Sequence, residues 1–211
     1  FVLEKTAQSI TIKERLDFSC AIFDKDGELV ANAPHMPVHL GSMDSTVKSI
    51  IKNNSTLSPG DIFAINAPYN GGTHLPDITI VNPIWNSEKS KIIFYTAARG
   101  HHTDIGGLTP GSMPCNSTDI HEEGIYIDNW KIVSDGVFRE QEVKNKLLSG
   151  SYPARSPLTN IADLKAQIAA CKKGETELLK IVDKYGLETV FRFQELVCQN
   201  AENAVRDSIK T

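Results

Sequence analysis

The sequence predicts an α+β fold, a mostly antiparallel β body with flanking helices and a C-terminal helical hairpin. Three observations lead there. Short segments rich in Ile, Val, Phe and Tyr recur between Phe18 and Val133, separated by turn residues. Apolar residues fall at helical spacing near the start, over 42–53 and again from Ile161 onward. The chain is 211 residues long with 40% hydrophobic and 23% charged residues, enough apolar surface to bury a core.

Taken in order, Val2 to Arg15 carries Leu3, Ala7 and Ile10 at near-helical spacing and reads as one helix ending at Asp17. Phe18–Phe23 and Glu28–Ala31 flank Asp24-Lys25-Asp26-Gly27, a hairpin signal in which Gly27 supplies the positive φ of a tight turn. Ser42 to Asn53 is predicted helical with Met43, Val47, Ile50 and Ile51 inward, followed by a turn at Ser58-Pro59-Gly60 and a strand over Asp61–Ile65. Ile78–Trp85 and Lys91–Ala98 are two further strands. Gly100 to Ser117 holds too many glycines and prolines for a regular element, and a loop of that length in a compact domain is usually functional. A β stretch over Gly124–Val133 precedes an irregular region ending at Pro157. Ile161, Leu164, Ile168, Cys171, Leu178 and Val182 then share a helical face, Gly186 suits a C-terminal cap, and Leu187–Ile209 forms a second helix. The expected division is an α+β domain over 1–157 and a helical hairpin over 158–211 packed on it.

A net charge of −4 and a pI near 5.9 provide no basic face for phosphates, so no nucleic-acid partner is expected. No apolar run reaches the ~20 residues of a membrane-spanning helix. The chain opens without an initiating Met or a signal-type apolar region, as expected of a segment that begins inside a longer gene product. Cys20, Cys115, Cys171 and Cys198 form no Cys-x-x-Cys pair, which predicts reduced thiols and a cytoplasmic protein.

The chemistry concentrates in two clusters. In Gly71-Gly72-Thr73-His74-Leu75-Pro76-Asp77, His74 and Asp77 lie three apart at a strand entrance, where glycines permit close approach and Pro76 stiffens the link. Arg99-Gly100-His101-His102-Thr103-Asp104-Ile105-Gly106-Gly107 follows the next strand. If the two strands form an antiparallel hairpin, both clusters meet at one sheet edge, bringing His101 or His102 beside His74 and Asp77. Asp17 is placed to add a further carboxylate. Nitrogen and hard oxygen ligands of this kind suit one divalent Zn, Mn or Fe ion with a position left open for water or a substrate carbonyl, the requirement of amide hydrolysis. Side chains alternate along an extended segment, so only one of His101 and His102 points at such an ion. The other is then a catalytic or supporting residue, with Asp104 available to orient an imidazole. Glu123 is a candidate general base; Arg99, Gly106 and Ser112 are candidate substrate contacts. His35 and His39, in a Pro-rich turn, are read as structural hydrogen-bonding residues.

Lys13–Cys20, Ala33–Gly41, Gly72–Asp77, Arg99–Gly107 with Thr109–Pro114, and Asp163–Gln167, in that order, resemble the hydantoinase B/5-oxoprolinase family from about Ile12 to about Asp207. That family contains ATP-dependent 5-oxoprolinases, N-methylhydantoinases and caprolactamase-like enzymes, with acetone carboxylase subunits as distant relatives. The resemblance implies metal-dependent opening of a cyclic amide, 5-oxoproline foremost, in a hetero-oligomer or fusion. A hydantoinase A-like partner subunit or region would use ATP to activate the carbonyl, and this chain has no phosphate-binding Gly-rich loop of its own. Carried over by motif, the metal ligands are Asp17, His74, Asp77 and His101. Family members are much longer, so a large C-terminal portion is expected beyond this chain. An acetone-carboxylase-like ligase and a non-catalytic assembly fragment are the alternative readings.

Overall fold

A computed structural model of the chain describes residues 1–33 and 36–210, and distinguishes two compact units, Phe1–Lys173 and Gly174–Thr211. The first is built on a seven-stranded antiparallel sheet. Its strands are β1 (Phe18–Asp24), β2 (Leu29–Asn32), β3 (Ile62–Ile65), β4 (Asp77–Trp85), β5 (Ile92–His101), β6 (Trp130–Ser134) and β7 (Val137–Phe138), in the spatial order β2-β1-β5-β4-β3-β6-β7. The chain therefore has the α+β class and antiparallel body that its sequence predicts. Its helices are α1 (Val2–Thr6), α2 (Ile10–Lys13), α3 (Pro37–Asn53), α4 (Glu140–Leu147), α5 (Pro157–Tyr185) and α6 (Leu187–Lys210), of which the last two form the C-terminal helical pair.

Both faces of the sheet are covered, which explains why β3 and β4 read as near-continuous apolar runs rather than alternating ones. Met43, Val47 and Ile50 of α3 bury against Phe63, Ile65, Val81, Tyr95 and Ala97. On the opposite face, Leu3 and Ile12 from the N-terminal helices, Val143 and Leu147 from α4, and Ile161, Leu164 and Cys171 from α5 pack on Ile78, Ile80, Ala98 and Ile132. The odd-numbered residues of β4 and β5 thus face α3, and the even-numbered ones face α5.

Four local expectations are corrected. The helix expected over Val2–Arg15 is two short ones, because Ser9 caps α2 by accepting from the Ile12 N–H while Asp163 Oδ1 accepts from the Gln8 and Ser9 N–H groups. Helix α3 begins at Pro37 rather than Ser42; a first-turn proline has no N–H to lose. Of the β stretch expected over Gly124–Val133, only Trp130 onward pairs, since Asn66 takes the Ile127 N–H and Ile125 C=O through its side chain. The region expected to be irregular up to Pro157 contains β7 and α4. In the second unit Gly186 closes α5 at φ +81, as expected. Among the described residues no helix is long and apolar enough to cross a membrane.

Candidate metal centre

Strands β4 and β5 pair from Asp77↔His101 through Ile84↔Phe94, so the residue that opens one strand stands directly opposite the residue that closes the other. Both belong to the α3 face. His74 is delivered by the turn before β4, where Gly71 has φ +89 and a Cβ would lie 2.5 Å from the Ser45 C=O oxygen; at Gly72 it would lie 2.6 Å from the Ala67 one. Thr46 of α3 donates to the Gly71 C=O and accepts from Arg99 Nη2 at 2.8 Å, tying turn, helix and sheet together.

The ligand atoms of His74, Asp77 and His101 all lie within 4.8 Å of one another. His74 Nε2 is 3.1 Å from His101 Nδ1, which is 3.0 Å from Asp77 Oδ1. Four ligands placed 2.0–2.1 Å from a zinc ion lie ~3.3 Å apart, so these separations match the donor set of a divalent cation. Asp77 divides its two oxygens. Oδ2 faces Thr73 Oγ1 at 3.1 Å, His74 Nδ1 at 3.0 Å and His39 Nε2 at 3.3 Å, whereas Oδ1 faces only His101 among these donors. Asp17, immediately before β1, stands beside the trio: its Oδ1 is 3.8 Å from His39 Nε2, and its C=O accepts from the His101 N–H at 3.0 Å. The Asp77 side chain is 3% exposed and His74 is 40% exposed, so the cluster is rooted in the interior and open on the His74 side.

Burial alone raises the pKa of Asp77, but hydrogen bonds from His101, His39 and His74 outweigh it and hold the carboxyl far below the usual range. In turn, the Asp77 hydrogen bond raises His101 against the opposing effect of burial, with Asp17 adding to the rise. Arg99 is fully buried and its guanidinium is lowered to about 10 by desolvation, with Asp77 as the nearby negative charge acting the other way.

The other residues singled out in the sequence lie in different surroundings. His102 is on the α5 face with no exposure; its Nε2 donates to Gln167 Oε1 at 3.0 Å and its Nδ1 accepts from Asn160 Nδ2 at 3.2 Å. Among the described residues, Asp104 accepts from the Gly106, Gly111 and Arg155 N–H groups and pairs with the Arg155 guanidinium at 2.8 Å. Arg99 donates inward to Thr79, Ser42, Thr46 and the His39 C=O rather than toward the open side. Ser112 is 2% exposed and links the Ile105 N–H to the Gly106 C=O; Gly106 is packed against the Tyr152 C=O. Glu123 accepts from Ser117 Oγ, and no contact joins it to the trio among the described residues. His35 lies outside the described residues.

His39, read from the sequence as a structural hydrogen-bonding residue, has its ring against Ser19 on one side and Asp77 on the other, a position the sequence reading did not anticipate. Once α3 starts at Pro37, His39, Ser42, Met43, Thr46, Val47 and Ile50 follow helical spacing on one inward face. That periodicity, extended back through the proline, was the available signal.

Residues 1–211 match the family model described as Hydantoinase B/oxoprolinase. The chain is 46% identical to 5-oxoprolinase 1 of Arabidopsis thaliana over 221 residues, covering 99% of this chain and 17% of that one. Its fold matches the crystal structure of the ATP-dependent caprolactamase from Pseudomonas jessenii with a TM-score of 0.85 and 28% identity, over 98% of this chain and 35% of that chain. An acetone carboxylase in its nucleotide-free structure shares the fold at a TM-score of 0.80 and 22% identity, over 91% of this chain and 25% of that one. The chain spans 16–17% of the length of several curated relatives. On the full-length family match, this chain belongs to the hydantoinase B/oxoprolinase family.

Proposed function

We propose that the chain forms the metal-binding part of an ATP-coupled cyclic amide hydrolase. The observation that supports this most directly is the convergence of His74 Nε2, His101 Nδ1 and Asp77 Oδ1 at one open sheet edge in a member of this family. Those three residues would hold one Zn, Mn or Fe ion, with Asp17 beside them. When bound, the ion supplies Lewis-acid polarisation of the substrate's amide carbonyl. The chain's own groups do the rest. His74 Nδ1–H and Thr73 Oγ–H, both facing Asp77 Oδ2, fix the turn so that the other ring nitrogen of His74, Nε2, is turned to His101 Nδ1 with its lone pair free for the ion. Arg99 anchors α3 behind the site, and its buried charge offsets that of Asp77.

The substrate favoured here is 5-oxoproline, named for what the Arabidopsis relative acts on. ATP is used by a hydantoinase A-like partner or region, not by this chain. Glu123, His102 and Asp104 as catalytic groups, and Arg99, Gly106 and Ser112 as substrate contacts, remain proposals from sequence; the enclosed positions of His102, Arg99 and Ser112 favour supporting roles.

Elemental analysis of the purified chain is the direct test. One divalent ion per chain is expected, absent from folded His74→Ala and Asp77→Ala variants. A wild-type chain that takes up no Zn²⁺, Mn²⁺ or Fe²⁺ when supplied with each would sink the reading. In the longer protein, ATP turnover stimulated by 5-oxoproline supports the finer assignment; turnover dependent on a ketone and bicarbonate replaces it with acetone-carboxylase-like chemistry.

A further inference from the structure

We infer that His39 is a positioning residue of this centre: a single ring nitrogen donates to Asp77 Oδ2 and faces Asp17, leaving Asp77 Oδ1 to the ion. The inference rests on the metal-binding reading above. Its basis is a chain of contacts that joins α3 to β1, β4 and β5. His39 Nε2 is 3.3 Å from Asp77 Oδ2 and 3.8 Å from Asp17 Oδ1, and the residue is 1% exposed. Ionised carboxylate oxygens only accept, so the nitrogen between them carries the hydrogen. Nδ1, on the other side of the ring, is 3.1 Å from Ser19 Oγ. With that hydrogen on Nε2, the lone pair of Nδ1 faces the Ser19 hydroxyl, whose Oγ is also 3.4 Å from both the N–H nitrogen and the C=O oxygen of Met36. Ser19 pairs with Arg99 across β1 and β5, and Arg99 Nη1 donates to the His39 C=O at 3.4 Å and to Ser42 Oγ at 2.6 Å. The ring is therefore held at both its nitrogens and through its backbone.

Two consequences follow for the ion. Asp77 Oδ2 faces three protein donors, which commits it to the protein and restricts Asp77 to binding through Oδ1. Asp17 Oδ1 lies 3.8 Å from the same nitrogen that faces Asp77 Oδ2, so the positive end of that N–H eases the repulsion between the two carboxylates before any cation arrives. A histidine placed for packing alone needs neither a nitrogen facing two carboxylates nor a hydroxyl against its other nitrogen.

The test is Zn²⁺ affinity of the 211-residue chain, measured by chelator competition, for wild type, His39→Leu, His39→Gln and Ser19→Ala. Loss of an outer-shell partner weakens metal binding about 10–100-fold, the range expected for His39→Leu. His39→Gln, which keeps a side-chain N–H, recovers most of that loss, and Ser19→Ala gives a smaller one. Long-range ¹H–¹⁵N spectra of the wild-type rings should show His39 with its hydrogen on Nε2. If His39→Leu does not fold, the Gln and Ser19→Ala variants and the ring spectra decide. Equal Zn²⁺ affinity in all folded variants, or a neutral His39 with its hydrogen on Nδ1, overturns the role of His39 while the metal reading survives. A wild-type chain that binds no Zn²⁺, Mn²⁺ or Fe²⁺ removes that reading and this inference with it.

Discussion

His101 and His102 are consecutive residues at the end of one strand, and they live in opposite chemical settings. The His101 ring faces His74 and Asp77 on the α3 side, at a site where ring nitrogens and a carboxylate crowd together at 3.0–3.1 Å. The ring of His102, one residue on, is turned to the α5 side and sealed from solvent, one nitrogen donating to Gln167 and the other accepting from Asn160. Gln167 completes that knot by donating to the Ile78 and Ala98 carbonyls. The lesson is that hydrogen-bond capacity separates the two. The His102 imidazole has spent all of its capacity on internal partners, whereas the trio is a set of acceptors and convertible donors that a cation would satisfy better than its members satisfy one another.

Substitutions should split along that line. The largest effect belongs to Asp77→Ala, which removes the only carboxylate of the trio and is expected to abolish metal uptake at any practical concentration while the chain stays folded; retained stoichiometric metal would break the contrast. Next, His102→Ala opens a cavity, takes the donor from Gln167 Oε1 and removes one of the acceptors of Asn160 Nδ2. It should lower the unfolding free energy by about 3 kcal/mol in denaturant titration, with metal content unchanged in the folded fraction.

Third, the pH dependence distinguishes loaded from metal-free chain. The His101 pKa is raised in the folded state, so its contribution is fully present below the ordinary value of 6.5 and is lost as pH rises through the raised one. Metal-free stability should therefore decline across that window, while metal, competing with the same protons, binds more tightly. The gap in Tm between the two forms widens with pH, and a gap that narrows contradicts the assignment of His101.

The smallest effect is expected in the loop after His102. Burial raises Asp104, but hydrogen bonds from Arg155, Gly106 and Gly111 prevail and lower its pKa. Its stabilisation is present above the ordinary value of 3.8 and is lost as pH falls through the depressed one. Asp104→Asn should cost about 1 kcal/mol near neutral pH, and a thermal melt series should show the difference from wild type vanishing in acid.

Much of this was legible in the residues. Strand periodicity and the short connection between Trp85 and Lys91 were enough to predict the β4–β5 hairpin, and from it the meeting of His74 and Asp77 with the Arg99–Gly107 segment. Alternation further dictated that His101 and His102 could not both face the same way. Less visible were α4 and the break at Ser9, because a buried carboxylate 154 residues away, Asp163, accepts from the backbone there. His39 looked like a turn histidine for a similar reason, since its significance depends on β1 and β4 lying on either side of it.

The sequence by itself determined the class of the fold, the antiparallel hairpin and the residue types gathered at its edge, since these depend on periodicities of two and 3.6 and on turn chemistry within a few residues. Only the tertiary structure decided which polar side chains are already satisfied and which are left facing one another. That outcome depends on contacts between distant segments: Gln167 reaching His102, Arg155 reaching Asp104, and His39 placed between Asp17 and Asp77. Hydrogen-bond satisfaction is a property of the folded neighbourhood rather than of any local pattern, so the roles of two adjacent histidines separate only once the sheet and its covering helices are in place.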